Sequence, residues 1–202
     1  MRKTIPEMTT EELRQVMPII IKEHSSNYNE WYETEKQNII NNVKSENIIR
    51  MNHIGSSAVE GLPAKPIIDI LLEVDGSCSE AKLTENLKEI GYWLWRHDPS
   101  GSMKLLFIKG YTSADGFAGF EEKVYNLHVR YCGNWDELYF RDYLIAHPDT
   151  ADEYAKLKSD ILNGLNNEIS IFEVGYEKAK IDFVEKYSNI AKQEFQDRYK
   201  PR

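Results

Sequence analysis

Cysteine is scarce in this sequence. Cys78 and Cys132 are the two it has, far apart and in no metal-ligand spacing. That excludes a disulfide framework and fits a reducing, intracellular compartment. Long apolar runs are also missing. The longest early one, Val16 to Ile21, is interrupted by Pro18. It lacks the flanks of a signal peptide and the length of a membrane span, so the expectation is a cytoplasmic protein with no membrane partner. A basic surplus is lacking too: the net charge is −8 and the isoelectric point about 5.2. Sequence-independent binding to DNA or RNA needs a basic face, so no nucleic-acid partner is expected. A small anionic substrate held by a local cluster of Lys or Arg stays open. There is no internal repeat, no low-complexity segment, and no nucleophile-elbow context for Ser-His-Asp catalysis.

What is present is enough for a core: 202 residues, 41% of them hydrophobic, suit one large domain. Thr9 to Glu12 reads as a capped helix start and Pro18 to Ile21 as an extended segment. Asn27 is a candidate cap for a helix with Trp31, Tyr32, Ile39, Ile40 and Val43 inward. Ile48 to Ile54 and Ile67 to Val74 read as strands. Ser79 starts a helix closed by Gly91, and Tyr92 to Arg96 and Lys104 to Lys109 are two further strands. Thr112 to Glu122, rich in Gly, Ser and Ala, reads as a mobile loop. Val124 to Tyr131 alternates as a strand, with Asn126 and His128 on one face and Leu127 and Val129 on the other. After Gly133 the pattern is helical. The fold class is α+β: a mixed sheet over 1–132, then C-terminal helices over 133–202.

The stretch HIGSSAVEGLPAKPIIDILLEV, His53 to Val74, organises the rest. Gly55 and Ser56 follow a strand and open a short helix, and with Ser57 they offer free N–H groups and hydroxyls to an anion. An ordinary Ser-capped turn would look the same. Asp69 lies among Ile67, Ile68, Ile70, Leu71 and Leu72, where an ionised carboxylate needs a metal, a basic partner or water. Glu73 shares its face but stands about 13 Å away at strand spacing, too far to share metals about 4 Å apart, and is expected in solvent at the strand end. His53 and His128 lie on strands that can flank Asp69, as ligands or as core histidines. Lys65 precedes the Asp69 strand. Arg141, Lys158 and Lys180 lie on C-terminal helices, Lys180 one turn from Tyr176, and each is either a phosphate ligand or a solvated charge.

The central stretch resembles the signature of the GrpB-like family. NLHVR (Asn126 to Arg130), FRDYLIAHPDTADEYAKLK (Phe140 to Lys158) and EVGYEKAKIDFVEK (Glu173 to Lys186) are similar to its later blocks, in order, over about Tyr28 to Glu185. The family looks like a branch of the DNA polymerase beta-like nucleotidyltransferase superfamily. That resemblance implies a nucleotidyltransferase-like mixed sheet flanked by helices, a Gly-Ser turn for a triphosphate, and strand carboxylates for a divalent metal, magnesium or manganese. Gly55, Ser56 and Asp69 carry over. The second carboxylate position is Leu71, and His128 stands in place of the third.

Three functions follow as expectations. The first is a metal-dependent nucleotidyl or phosphoryl transferase acting on a small molecule. Asp69 and His128 would hold the metal, His53 or His128 would be ligand or general base, and Gly55, Ser56, Ser57, Lys65, Arg141, Lys158, Tyr176 and Lys180 would hold a nucleotide or another phosphorylated small molecule. The second is a non-catalytic nucleotide-binding module, and the third an interaction protein working through its C-terminal helices.

Overall fold

A computed structural model describes residues 9, 12, 20–43, 47–98, 103–114, 117–164, 174–196 and 198–201, without side-chain detail at 112–114, 117–121 and 174–177. The elements are α1 (Tyr28–Asn42), β1 (Ile48–Ile54), a single 3-10 turn (Ser56–Ala58), β2 (Ile68–Val74), α2 (Glu80–Glu89), β3 (Trp93–His97), β4 (Lys104–Ala114), β5 (Phe117–Tyr131), α3 (Asp136–Ala146), α4 (Pro148–Gly164) and α5 (Val174–Phe195). The expected mixed sheet with helices last is what forms.

The five strands run in the order β1-β2-β5-β4-β3. β2 pairs parallel with β5, and the other pairings are antiparallel. β2, the apolar run of the central stretch, is buried on both faces, which is why it reads as a continuous hydrophobic segment rather than an alternating one. On one face α1 and α2 lay Tyr28, Tyr32, Ile39, Leu83 and Leu87 against Ile70, Leu72, Leu127 and Val129. The opposite face meets α3 through Ile54, Leu71 and Leu138. A separate core joins α3, α4 and α5 through Tyr139, Phe140, Tyr143, Tyr154 and Tyr187.

Local expectations fare unevenly. Ser79 caps α2, accepting the Lys82 N–H at 3.5 Å, and Thr9 and Glu12 form a reciprocal capping box. Lys22 bridges Ala64, in keeping with an extended segment there; Pro18 and Ile19 lie outside the described residues. Asn27 makes no side-chain cap, because its own backbone is already helical (φ −77°, ψ −14°). The described residues of the Thr112 to Glu122 segment, 112–114 and 117–122, are not loop. The segment contributes to two paired strands, with Tyr111 opposite Phe120 and Ala114 opposite Phe117. Its small residues lower strand propensity, but the long register with β4 outweighs that.

Glu73 is not solvated. It is fully buried and takes a two-pronged ion pair from Arg50 (Nη2 to Oε1 2.8 Å; Nε to Oε2 is the second contact). The Gly133 N–H adds a bond of 3.0 Å. A buried carboxylate requires such compensation. The Arg50 partner lies on β1, in register with Glu73, a neighbour that the strand pairing creates.

Candidate functional site

The inter-strand register decides which candidates meet. Asp69 lies opposite Ile54 on β1 and Asn126 on β5; Leu71 lies opposite His128. Residues facing one another across a ladder share a sheet face, so Asp69, Asn126 and His128 point together. His53 pairs with Ile70, on the other face. There it stacks on Tyr32 (5.0 Å between rings, 15° apart) and shares a hydrogen bond of 3.1 Å with Ser57 Oγ. Burial pulls its pKa down to about 4, so it is a neutral packing residue. A role as metal ligand or base beside Asp69 does not survive this placement.

Asp69 is held from three directions. Tyr111 OH donates to Asn126 Oδ1 at 2.9 Å, which turns the amide so that Asn126 Nδ2 donates to Asp69 Oδ1 at 3.0 Å. His128 Nε2 stands 3.5 Å from the same oxygen. Burial pushes the Asp69 pKa upward, but His128, Lys65 and Asn126 together hold it below the ordinary value. From the third side comes the turn. Gly55 has φ +72° and ψ −175°, a region open essentially to glycine alone. Asn126 and Tyr111 are polar neighbours of Asp69 that sequence spacing alone does not place beside it. The alternation of Asn126 with His128 was the available signal.

A cavity of about 460 Å³ opens in front of this group. Gly55, Ser56, Ser57, Lys65, Asp69, Asn126, His128, Lys158 and Lys180 all contribute to its lining, and Trp95, Arg96 and Leu106 close its far side. Lys158 is 2% exposed, and its Nζ donates to Ser56 Oγ at 3.2 Å and to the Pro63 carbonyl, above the Tyr154 ring. Burial, then the nearby Lys180 and Lys65, bring its pKa down to about 7. Helices α4 and α5 thus deliver ammonium groups to a turn about a hundred residues earlier in the chain.

Arg141 does not line the cavity. Its guanidinium is spent on the His53 carbonyl (2.8 Å), Asp142 (2.6 Å) and Tyr199 OH (2.8 Å), tying α3 to β1. The side chain of Tyr176 lies outside the described residues. Leu71 is fully buried beneath Leu138 and Ile54. The position where a second carboxylate would serve is covered by α3 as well as apolar. Among the described residues no three His, Cys, Asp or Glu side chains converge, and no helix is long and apolar enough to cross a membrane.

Comparisons with known proteins agree with this architecture. The sequence profile of a family described as "GrpB protein" matches residues 18–189. The chain is 34% identical over 176 residues to the glutamate-rich protein GrpB of Alkalihalophilus pseudofirmus, covering 85% of this chain and 94% of that one. It resembles the crystal structure of conserved protein GrpB from Enterococcus faecalis, with a TM-score of 0.67, 25% identity, and coverage of 87% and 99%. It is also 27% identical over 170 residues to the dephospho-CoA kinase of Mycobacterium tuberculosis. That match covers 73% of this chain and 42% of the kinase, so it spans less than half of that protein.

Proposed function

The chain belongs to the GrpB family, and we propose that its cavity binds a nucleotide or another phosphorylated small molecule and transfers a nucleotidyl or phosphoryl group to a small acceptor. One observation carries the reading: a serine turn, three lysines and a carboxylate–imidazole pair line a single cavity. Ser56, Ser57 and the Lys65, Lys158 and Lys180 ammonium groups neutralise and orient phosphate oxygens, as a largely electrostatic reaction requires. His128, whose Nε2 lies 3.5 Å from Asp69 Oδ1, would take a proton from an acceptor hydroxyl when it does not hold a metal. The partial match to a protein named dephospho-CoA kinase, over 42% of that protein, supports a phosphorylated small molecule as the substrate class.

The donor set does not fit a two-metal clamp, because Leu71 is sealed under Leu138. It fits at most one divalent ion, magnesium or manganese, which Asp69 and His128 would hold and which would supply positive charge to the phosphate. The buried Leu71 also favours a second reading, a module that binds nucleotide without transferring it. Turnover of a labelled nucleoside triphosphate with and without manganese separates the two. Product formation lost in Asp69→Ala supports transfer, and tight binding without turnover supports the module. If no phosphorylated compound raises the melting temperature, both readings fail; a ligand at 100 times its Kd adds about 2.7 kcal/mol.

A further inference from the structure

Strand β3 lies at one edge of the sheet and carries an irregularity between Leu94 and Arg96. Leu94 pairs with Phe107 and Arg96 with Leu106, so Trp95 is the extra residue. A bulge of this kind re-aims a side chain and recurs beside functional sites. Leu106 pairs in turn with His128, on the cavity face. The irregularity therefore brings both Trp95 and Arg96 to the cavity, where they join Ile21, Leu106 and Glu137. Regular alternation would have sent one of the two to the opposite face.

We propose that Trp95, with Arg96 next to it on the bulged strand, forms a platform for a nucleobase whose phosphate end lies at Ser56 and Lys158. This rests on the phosphate-binding reading above and names the substrate class as nucleotides rather than sugar phosphates or acyl phosphates. The two ends of the cavity differ in chemistry. The Ser56 end gathers ammonium groups and hydroxyls, which suit phosphate. The Trp95 end combines an indole and aliphatic side chains with the Arg96 guanidinium, while the Glu137 carboxylate, also in the lining, is paired to Arg130. A base presents a flat aromatic face to the indole and acceptors on its edge to the guanidinium; a sugar ring can lay its C–H face on an indole but has no such planar, acceptor-bearing edge. The spacing agrees. Trp95 lies three strands from Asp69 in the order β2-β5-β4-β3, about 14 Å at inter-strand spacing, which leaves room for a sugar and phosphates between the two ends.

Calorimetric titration of the full chain with ATP, ribose 5-phosphate and inorganic tripolyphosphate tests this, in wild type, Trp95→Ala and Trp95→Phe. Base–aromatic stacking is worth about 1–3 kcal/mol, so wild type binds ATP about 5- to 150-fold more tightly than tripolyphosphate. Trp95→Ala removes that preference while tripolyphosphate affinity stays the same, and Trp95→Phe keeps most of it. Circular dichroism checks that both variants fold. An ATP-to-tripolyphosphate ratio unchanged in Trp95→Ala, with both ligands bound, overturns the platform and leaves the phosphate site standing. Tripolyphosphate or ribose 5-phosphate binding as tightly as ATP in wild type also overturns it. No binding of any of the three overturns the phosphate reading itself.

Discussion

A Cβ built on Gly55 would lie 2.8 Å from Oδ2 of Asp69. The turn at the end of β1 is thus pressed onto the carboxylate that β2 presents, and glycine is what permits the approach. The same residue has a backbone conformation that other side chains rarely adopt. Gly55→Ala is expected to destabilise the protein by about 1–3 kcal/mol from backbone strain and to displace Asp69 from Asn126. Thermal melting reads the first effect. A wild-type melting temperature in the variant would show that the turn gives way easily and that the contact does not position Asp69.

Lys158 is expected to make stability, and affinity for a bound phosphate, depend on pH. Its folded pKa, about 7, lies below the unfolded value near 10.4, so between them the unfolded chain holds a proton that the folded chain has lost. Folding stability contributed by this site therefore rises with pH across that window, by at most about 1.4 kcal/mol per pH unit. Below about pH 7 both states are protonated and the burial penalty is present in full. Lys158→Met, which removes the charge and keeps an unbranched chain, should flatten this slope in urea titrations from pH 7 to 10. A bound phosphate favours the ammonium form, so binding takes up a proton and weakens as pH rises above about 7. Calorimetry in buffers of different ionisation enthalpy measures that uptake.

Burial holds His53 neutral, with a pKa of about 4 against about 6.5 unfolded. The unfolded state therefore binds the extra proton between those values. Stability is lost as pH falls from about 6.5 toward 4. His53→Phe, which keeps a ring for Tyr32 to stack on, should reduce this acid sensitivity and leave the Kd for a phosphorylated ligand unchanged. A tenfold loss of ligand affinity in that variant, with the fold intact by circular dichroism, would return His53 to the site.

Leu71→Asp would create the missing second carboxylate, but buried beneath Leu138 and Ile54, with only His128 and Asn52 opposite it on the neighbouring strands and no basic side chain of its own. The expected result is a protein destabilised by several kcal/mol, with no gain in manganese affinity. Asp69→Ala should abolish whatever manganese binding the wild type has. A folded Leu71→Asp variant that binds manganese more tightly would show that α3 moves aside and that a two-metal site is within reach.

The one-dimensional pattern was sufficient for most elements. The apolar run of β2, the Ser79 cap, the alternation after Val124 and the long helical periods of α3 to α5 each follow from local propensity and burial, and local physics is what sequence spacing encodes. The central stretch also held Gly55, Ser56 and Asp69 together, because one strand, one turn and one strand are contiguous in the chain. What tertiary structure decided was pairing. Register put His128 and Asn126 on the face of Asp69 and sent His53 to the other. It gave Glu73 its Arg50, and it paired the described residues of the Gly-rich Thr112 to Glu122 segment as strands. Packing of α3 over Leu71, and of α4 and α5 so that Lys158 and Lys180 meet the Ser56 turn, depends on contacts about a hundred residues apart. Strand alternation tells which residues share a face of one strand. Which face of its neighbour that becomes is set by a single-residue choice of register, stabilised only once both sides of the sheet are covered.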